Sequence, residues 1–199
     1  MRQKRIKEAT PDNLLALDVI MDIKLLDLAS FSKVSLEIGS GKGKFITSLA
    51  SDNPDELFVA FERDKSVAYR LAQKKNEMNL NNLLVVCNDA KHLNQYLTNN
   101  SLDKIYLNFS DPWPKAKHHK RRLTFHSFLM IYHNLLKENG LIEFRTDHLP
   151  FFEDSLTYFI KKFETIKIDY NLSESCYMTE YEIKKRKLMP INQYIGKKI

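Results

Sequence analysis

Four acidic residues, Glu62, Asp89, Asp111 and Asp147, stand at or just past the ends of short apolar runs. A fifth, Glu37, stands two residues before the glycines of Gly39-Ser40-Gly41-Lys42-Gly43. One such carboxylate would be an ordinary helix cap; several around one sheet edge look like a site. Glycines at a strand-to-helix turn let backbone approach a ligand with no Cβ in the way. The spacing is wrong for a P-loop: Gly39 to Gly43 is one residue short, and Phe45 follows Lys44 where Ser or Thr should stand. A dinucleotide fingerprint would need glycine at 44, which is lysine. The remaining G-x-G-x-G form suits a nucleoside without phosphates.

Glu37 beside that loop would repel a pyrophosphate and favour a cationic, sulfonium-bearing amino acid. Glu62 can accept both hydroxyls of a ribose, a role that alone does not separate NAD from S-adenosylmethionine. The most specific stretch is Asn108-Phe109-Ser110-Asp111-Pro112-Trp113-Pro114-Lys115, followed by Ala116-Lys117-His118-His119-Lys120-Arg121-Arg122. Prolines 112 and 114 stiffen a loop directly beyond a strand and hold Asp111 and Trp113 in a fixed relation, as a base pocket requires. The His118-His119 pair lies inside a cationic run with no carboxylate partners, so phosphate contact is favoured over a metal.

These residues need elements to position them. Strands are expected over 34–38, 57–61, 83–87, 104–109 and 141–146, with helices from Phe45 to about Ala50 and over 65–78. Phe125, Phe128, Leu129, Tyr132, Leu135 and Leu136 fall on one helical face, which Asn139-Gly140 should end. Strands apolar throughout and separated by helices imply a mostly parallel sheet covered on both faces. Right-handed crossovers make that a doubly wound α/β fold, with ligands at the carboxyl ends of its strands.

Charge points to the partner. Lys and Arg number 31 against 25 Asp and Glu, yet residues 1–8 carry +3, 115–122 carry +5 and 183–199 carry +6. Against a total of +6 this leaves the rest of the chain at −8, an acidic body with basic segments suited to a polyanion. Two cysteines, Cys87 and Cys176, cannot build a disulfide framework or a Cys-based zinc site. No apolar stretch approaches the ~20 residues that cross a bilayer, and the charged start has no apolar core after it, as a signal peptide would. The expectation is one cytoplasmic domain over 1–199, without membrane or metal, as monomer or homodimer.

At this point the chain resembles the bacterial tRNA (guanine-N7-)-methyltransferase family. The resemblance rests on EIGSGKG (37–43), FE (61–62), NDA (88–90), LNFSDPWPK (107–115) with HHKRRL (118–123), RTD (145–147) and TEYE (179–182). It implies a class I methyltransferase fold, Rossmann-like, with S-adenosylmethionine as donor and the variable-loop guanine of tRNA (position 46) as acceptor. Carried over by motif, Glu37, Gly39, Gly41, Glu62, Asp89 and Asp111 would line the cofactor site, with Asp111 also the catalytic residue. Lys115, Asp147, Thr179, Glu180, Tyr181 and Glu182 would contact substrate. Lys117, His118, His119, Lys120, Arg121 and Arg122 would form the RNA-interacting segment. The family's Lys-Phe and nearby Gly after TEYE are absent; Ile183-Lys184-Lys185-Arg186-Lys187 stands there. The first 30 residues also diverge more than the core.

Guanine N7 carries an unprotonated lone pair, so attack on a sulfonium methyl needs no general base, only alignment and exclusion of water. Positive charge moves onto the base, where Asp111 could stabilise it. Asp147 or Glu182 could read guanine's N1–H and exocyclic amine. Two other functions fit the same residues: methylation of an exocyclic amine through Asp-Pro-Trp, and non-catalytic RNA binding on a methyltransferase scaffold.

Overall fold

The computed structural model describes residues 5–199; Met1 to Lys4, part of the basic N-terminal cluster, lie outside the described residues. Thr10 caps the first helix, α1 (Pro11–Ala16), accepting from the Asn13 amide, and Pro11 starts it where no amide partner is needed. A two-residue strand, β1 (Val19–Ile20), follows. Then come β2 (Val34–Ile38), α2 (Lys44–Asp52), β3 (Leu57–Phe61), α3 (Lys65–Glu77) and β4 (Leu83–Val86). A 3₁₀ turn over Ala90–Gln95 leads to β5 (Leu102–Asn108), and a second over Ala116–Arg121 leads to α4 (His126–Leu135). The chain closes with β6 (Leu136–Thr146), α5 (Leu149–Phe159), β7 (Glu164–Asp169), α6 (Glu180–Lys185) and β8 (Asn192–Lys197).

All eight strands form one sheet in the order β1-β4-β3-β2-β5-β6-β8-β7. Every pairing is parallel except those of β8, which runs antiparallel between β6 and β7. The mostly parallel doubly wound sheet therefore stands as expected. Alternation sends Leu36, Val59 and Phe61 into one apolar cluster and Phe58 and Ala60 into another, one on each face of the sheet. The winding reverses between β2 and β5: β3 and β4 add on one side, β6 on the other. A parallel sheet opens a crevice at such a reversal, beyond the strands' carboxyl ends.

Three differences from the sequence reading have physical causes. Leu136 belongs to β6 instead of the preceding helix, pairing with Leu102. Asn139, at φ +64°, and Gly140 then lie inside a strand whose register shifts between Leu102 and Lys104, so they make a bulge rather than a helix stop. The basic C-terminal segment is not a charged tail. Ile191 to Tyr194 are buried, Lys197 pairs with Glu164, and buried Lys198 reaches Asn100, Leu136 and Glu138.

Candidate active site

At the reversal, Asn108 ends β5 and donates from Nδ2 to Glu37 Oε1 at 2.8 Å, near the end of β2. Both residues are buried, and Glu37 Oε2, Asn108 Oδ1 and the Ser110 hydroxyl have no hydrogen-bond partner. Buried polar atoms left unpaired in a folded core cost roughly 1–3 kcal/mol each. Three in succession along the exit of β5 and the neighbouring strand end mark a place prepared for polar ligand atoms. Burial drives the Glu37 carboxyl up to about 8; the Asn108 hydrogen bond opposes this, and the negative charges of Glu180 and Glu62 reinforce it. A cationic ligand group would relieve that cost.

The glycine loop wraps this strand end. Gly39, Gly41 and Gly43 all have positive φ, and the Gly39 amide donates to the Phe61 carbonyl at 2.7 Å. Gly43 has a second constraint: a Cβ there would stand 1.9 Å from Leu71 Cδ1 of α3, so that buried side chain would have to shift, on top of the strain of φ +83° where α2 starts. Glu62, just beyond β3, accepts the Gly41 amide at 3.0 Å and the Asp64 amide at 2.9 Å, one on each oxygen. Burial raises its carboxyl above the ordinary range, and those backbone bonds hold it down in part. Each carboxylate oxygen keeps a further lone pair, enough for two hydroxyls. Asp89 caps the turn at Ala90–Gln95 by accepting the Lys91 amide at 3.1 Å.

The loop after β5 is strained. Phe109 and Trp113 have φ of +53° and +40°, a region aromatic residues rarely enter, at about 1–3 kcal/mol each. Between them Asp111 is exposed. Arg121 lies over the Trp113 ring at 5.1 Å, and His118 meets the ring's edge at 5.6 Å. Lys115, Lys117 and Lys120 are exposed on the same turn, with His118 and His119 partly covered. Arg122 is buried instead and points into the protein.

The last group is split. Asp147 follows β6, accepts from the Tyr181 hydroxyl at 3.0 Å and forms an ion pair with Lys185 Nζ at 3.4 Å. Tyr181 also packs on Phe109, ring centroids 5.2 Å apart, which brings α6 against the Asp111 loop. Glu180 pairs with Lys74 at 3.0 Å, and Thr179 caps α6 by accepting the Glu182 amide at 2.9 Å. Glu182, expected among the substrate contacts, is turned into the protein instead. It is fully buried, with Oε2 on Arg145 at 3.3 Å and Oε1 taking Arg186 Nε and Nη2 at 3.0 and 2.6 Å.

Sequence reasoning missed the group behind it: Arg145 also donates to Glu143 Oε1 at 2.7 Å, and Glu143 takes Lys104 at 2.8 Å and Gln193 at 2.7 Å. Burial works against the Glu143 charge, but Lys104 and Arg145 outweigh it and hold the carboxyl below its usual range. Charged residues inside an apolar strand, Glu143 and Arg145 in LIEFRT, were the available signal. Among the described residues no cluster of three or more His, Cys, Asp or Glu is arranged to hold a metal, and no helix is long and apolar enough to cross a membrane.

A reversed penultimate strand position, a glycine turn after β2 and an acid after β3 define a class I S-adenosylmethionine-dependent methyltransferase. The comparisons agree. A family model described as a putative methyltransferase matches residues 32–190. The tRNA (guanine-N(7)-)-methyltransferase of Staphylococcus haemolyticus is 48% identical over 158 residues, covering 76% of this chain and 73% of that protein. The Staphylococcus aureus (strain MSSA476) protein of the same name is 44% identical over 156 residues, with the same coverage. The chain belongs to the tRNA (guanine-N7-)-methyltransferase family. Solved structures share the fold at low identity. The 16S rRNA methyltransferase KamB gives a TM-score of 0.64 at 16% identity, over 98% of this chain and 96% of that one. SMU.1697c of Streptococcus mutans, a putative methyltransferase in complex with SAH, gives 0.60 at 14%, over the whole of both chains.

Proposed function

We propose that this protein methylates N7 of the variable-loop guanine (position 46) of tRNA, with S-adenosylmethionine as donor, in the cytoplasm. The observation that carries the reading is the Glu37–Asn108 pair, with three unpartnered polar atoms at the sheet's reversal. These atoms fit the amino-acid end of the donor: an ammonium needs acceptors, and Glu37 Oε2 and Asn108 Oδ1 are two. Glu62 would hold the ribose hydroxyls, Gly39 and Gly41 would let backbone close on the nucleoside, and Asp89 would border it. When bound, the donor supplies a methyl group on a positively charged sulfur.

The chain's own residues then align, exclude water and place charge. Asp111 stands on its rigid loop between the donor end of the sheet and the basic turn. Its carboxylate faces the guanine as the ring becomes cationic and stabilises that charge. No base is required, since N7 has no proton to lose. Asp147 reads the guanine's N1–H and amine with Oδ1, while Tyr181 and Lys185 fix Oδ2. Lys115, Lys117, His118, His119, Lys120 and Arg121 take phosphates or the base rim, and Thr179 to Tyr181 close the pocket from α6. The free cysteines Cys87 and Cys176 suit a reducing compartment.

The test is transfer of labelled methyl to unmodified tRNA followed by nucleoside digestion. Label in 7-methylguanosine supports the reading; label on an exocyclic amine, or none, contradicts it.

A further inference from the structure

Arg122 sits in the basic run but faces inward. Its Nε donates to the Pro112 carbonyl at 2.7 Å and Nη2 to the Trp113 carbonyl at 3.5 Å. Nη2 also donates to His119 Nε2 at 2.9 Å, Nη1 pairs with Asp154 of α5, and the guanidinium plane lies 5.1 Å from the Phe151 ring centre. All three nitrogens are engaged within the protein and four of the five N–H groups have a partner there, which leaves a single Nη1 hydrogen. Two consecutive carbonyls of the Asp111 loop are instead held from below.

That loop needs holding. Phe109 and Trp113, with φ of +53° and +40°, bracket Asp111 in a conformation that persists only where surroundings over-determine it. Pro112 and Pro114 fix their own φ but do not fix the carbonyls between them. A planar guanidinium reaches two adjacent carbonyls and a carboxylate at once; an ammonium is a point charge and does not. We propose that Arg122 is a positioning residue for methyl transfer, clamping the Asp111–Pro114 loop to Asp154 so that the Asp111 carboxylate keeps its aim, and that it is not a tRNA contact. The proposal rests on the reading of Asp111 given above.

Trp113 is the chain's single tryptophan, so its fluorescence reports this loop directly. Arg122→Lys keeps the charge and loses the fork; Asp154→Asn keeps the shape and releases the clamp from a side chain that is 38% exposed and tolerant of change. Both variants should lower single-turnover methyl transfer about 10–10²-fold at saturating tRNA and donor, the scale of a reacting group displaced by about 1 Å. Both should alter acrylamide quenching of Trp113. The dependence of tRNA affinity on salt should keep its parental slope in both, whereas Lys120→Gln should flatten it.

Asp154→Asn separates the alternatives even if Arg122→Lys fails to fold. If Arg122 were a phosphate contact, losing Asp154 would free it and tighten tRNA binding at an unchanged rate. That result, or parental rate and quenching in both variants, overturns the clamp. If Asp111→Asn itself transfers methyl at the parental rate, the reading of Asp111 fails, while Trp113 quenching still decides whether Arg122 holds the loop.

Discussion

Asn108 Nδ2 and Glu37 Oε1 lie 2.8 Å apart, joining the carboxyl ends of the two strands between which the sheet reverses its winding. The bond holds the Glu37 carboxyl in place with one oxygen and leaves the other buried and without a partner. Burial makes that carboxyl hard to ionise until a positive partner arrives, so the site is selective for a cation by default.

A pH dependence follows. In the folded chain Glu37 stays protonated up to about 8, while unfolded it ionises near 4.5. Its raised value therefore contributes stability that is fully present below 4.5, falls as pH rises, and is gone above about 8. Glu37→Gln removes this slope and should stabilise the ligand-free protein at pH 8 by a few kcal/mol, at ~1.4 kcal/mol per unit. Urea unfolding at pH 5 and pH 8 measures it; an equal effect at both contradicts the assignment.

Donor binding should expel the Glu37 proton at pH 7, because an ammonium beside it favours the carboxylate. Calorimetry in two buffers of different ionisation enthalpy reads the proton count. Zero protons released, with normal affinity, would place the ammonium elsewhere.

Glu62→Ala should weaken donor affinity by about 1–3 kcal/mol, through loss of a charged acceptor for buried hydroxyls. Since Glu62 also takes the Gly41 and Asp64 amides, Glu62→Gln, which keeps one acceptor oxygen, should lose less. Unchanged affinity in a folded Glu62→Ala variant removes the residue from the site.

Glu182 is expected to act through stability. Glu182→Gln leaves Arg145 and Arg186 facing a neutral group in a buried network, and breaking such a pair costs about 3–5 kcal/mol. Thermal unfolding should show the loss. A parental melting temperature with a raised tRNA KM would instead return Glu182 to the substrate.

The sheet was legible because five of its strands are apolar runs with acids at their ends. The glycine loop and Glu62 were legible as spacing. The Glu37–Asn108 bond was not, since it joins residues 71 apart whose types alone give no pairing. Strand β8 escaped because its first two buried residues are polar and break the apolar run before Tyr194: Asn192 donates to the Thr146 carbonyl at 3.1 Å and Gln193 to Glu143. Strand β7 is an exposed edge with no apolar run. Arg121 and Arg122 are adjacent in one charge run, and only the fold turns one onto Trp113 and the other into the core.

The central claim is that Asp111 stabilises charge on the methylated guanine. Single-turnover methyl transfer by Asp111→Asn, at saturating S-adenosylmethionine and unmodified tRNA, tests it most directly, with the product identified as 7-methylguanosine. The expected result is a rate about 10²–10³-fold below the parent, the scale of one preorganised electrostatic group, with tRNA affinity nearly unchanged because phosphates dominate it. Transfer at the parental rate under those conditions would contradict the claim and reduce catalysis to positioning alone.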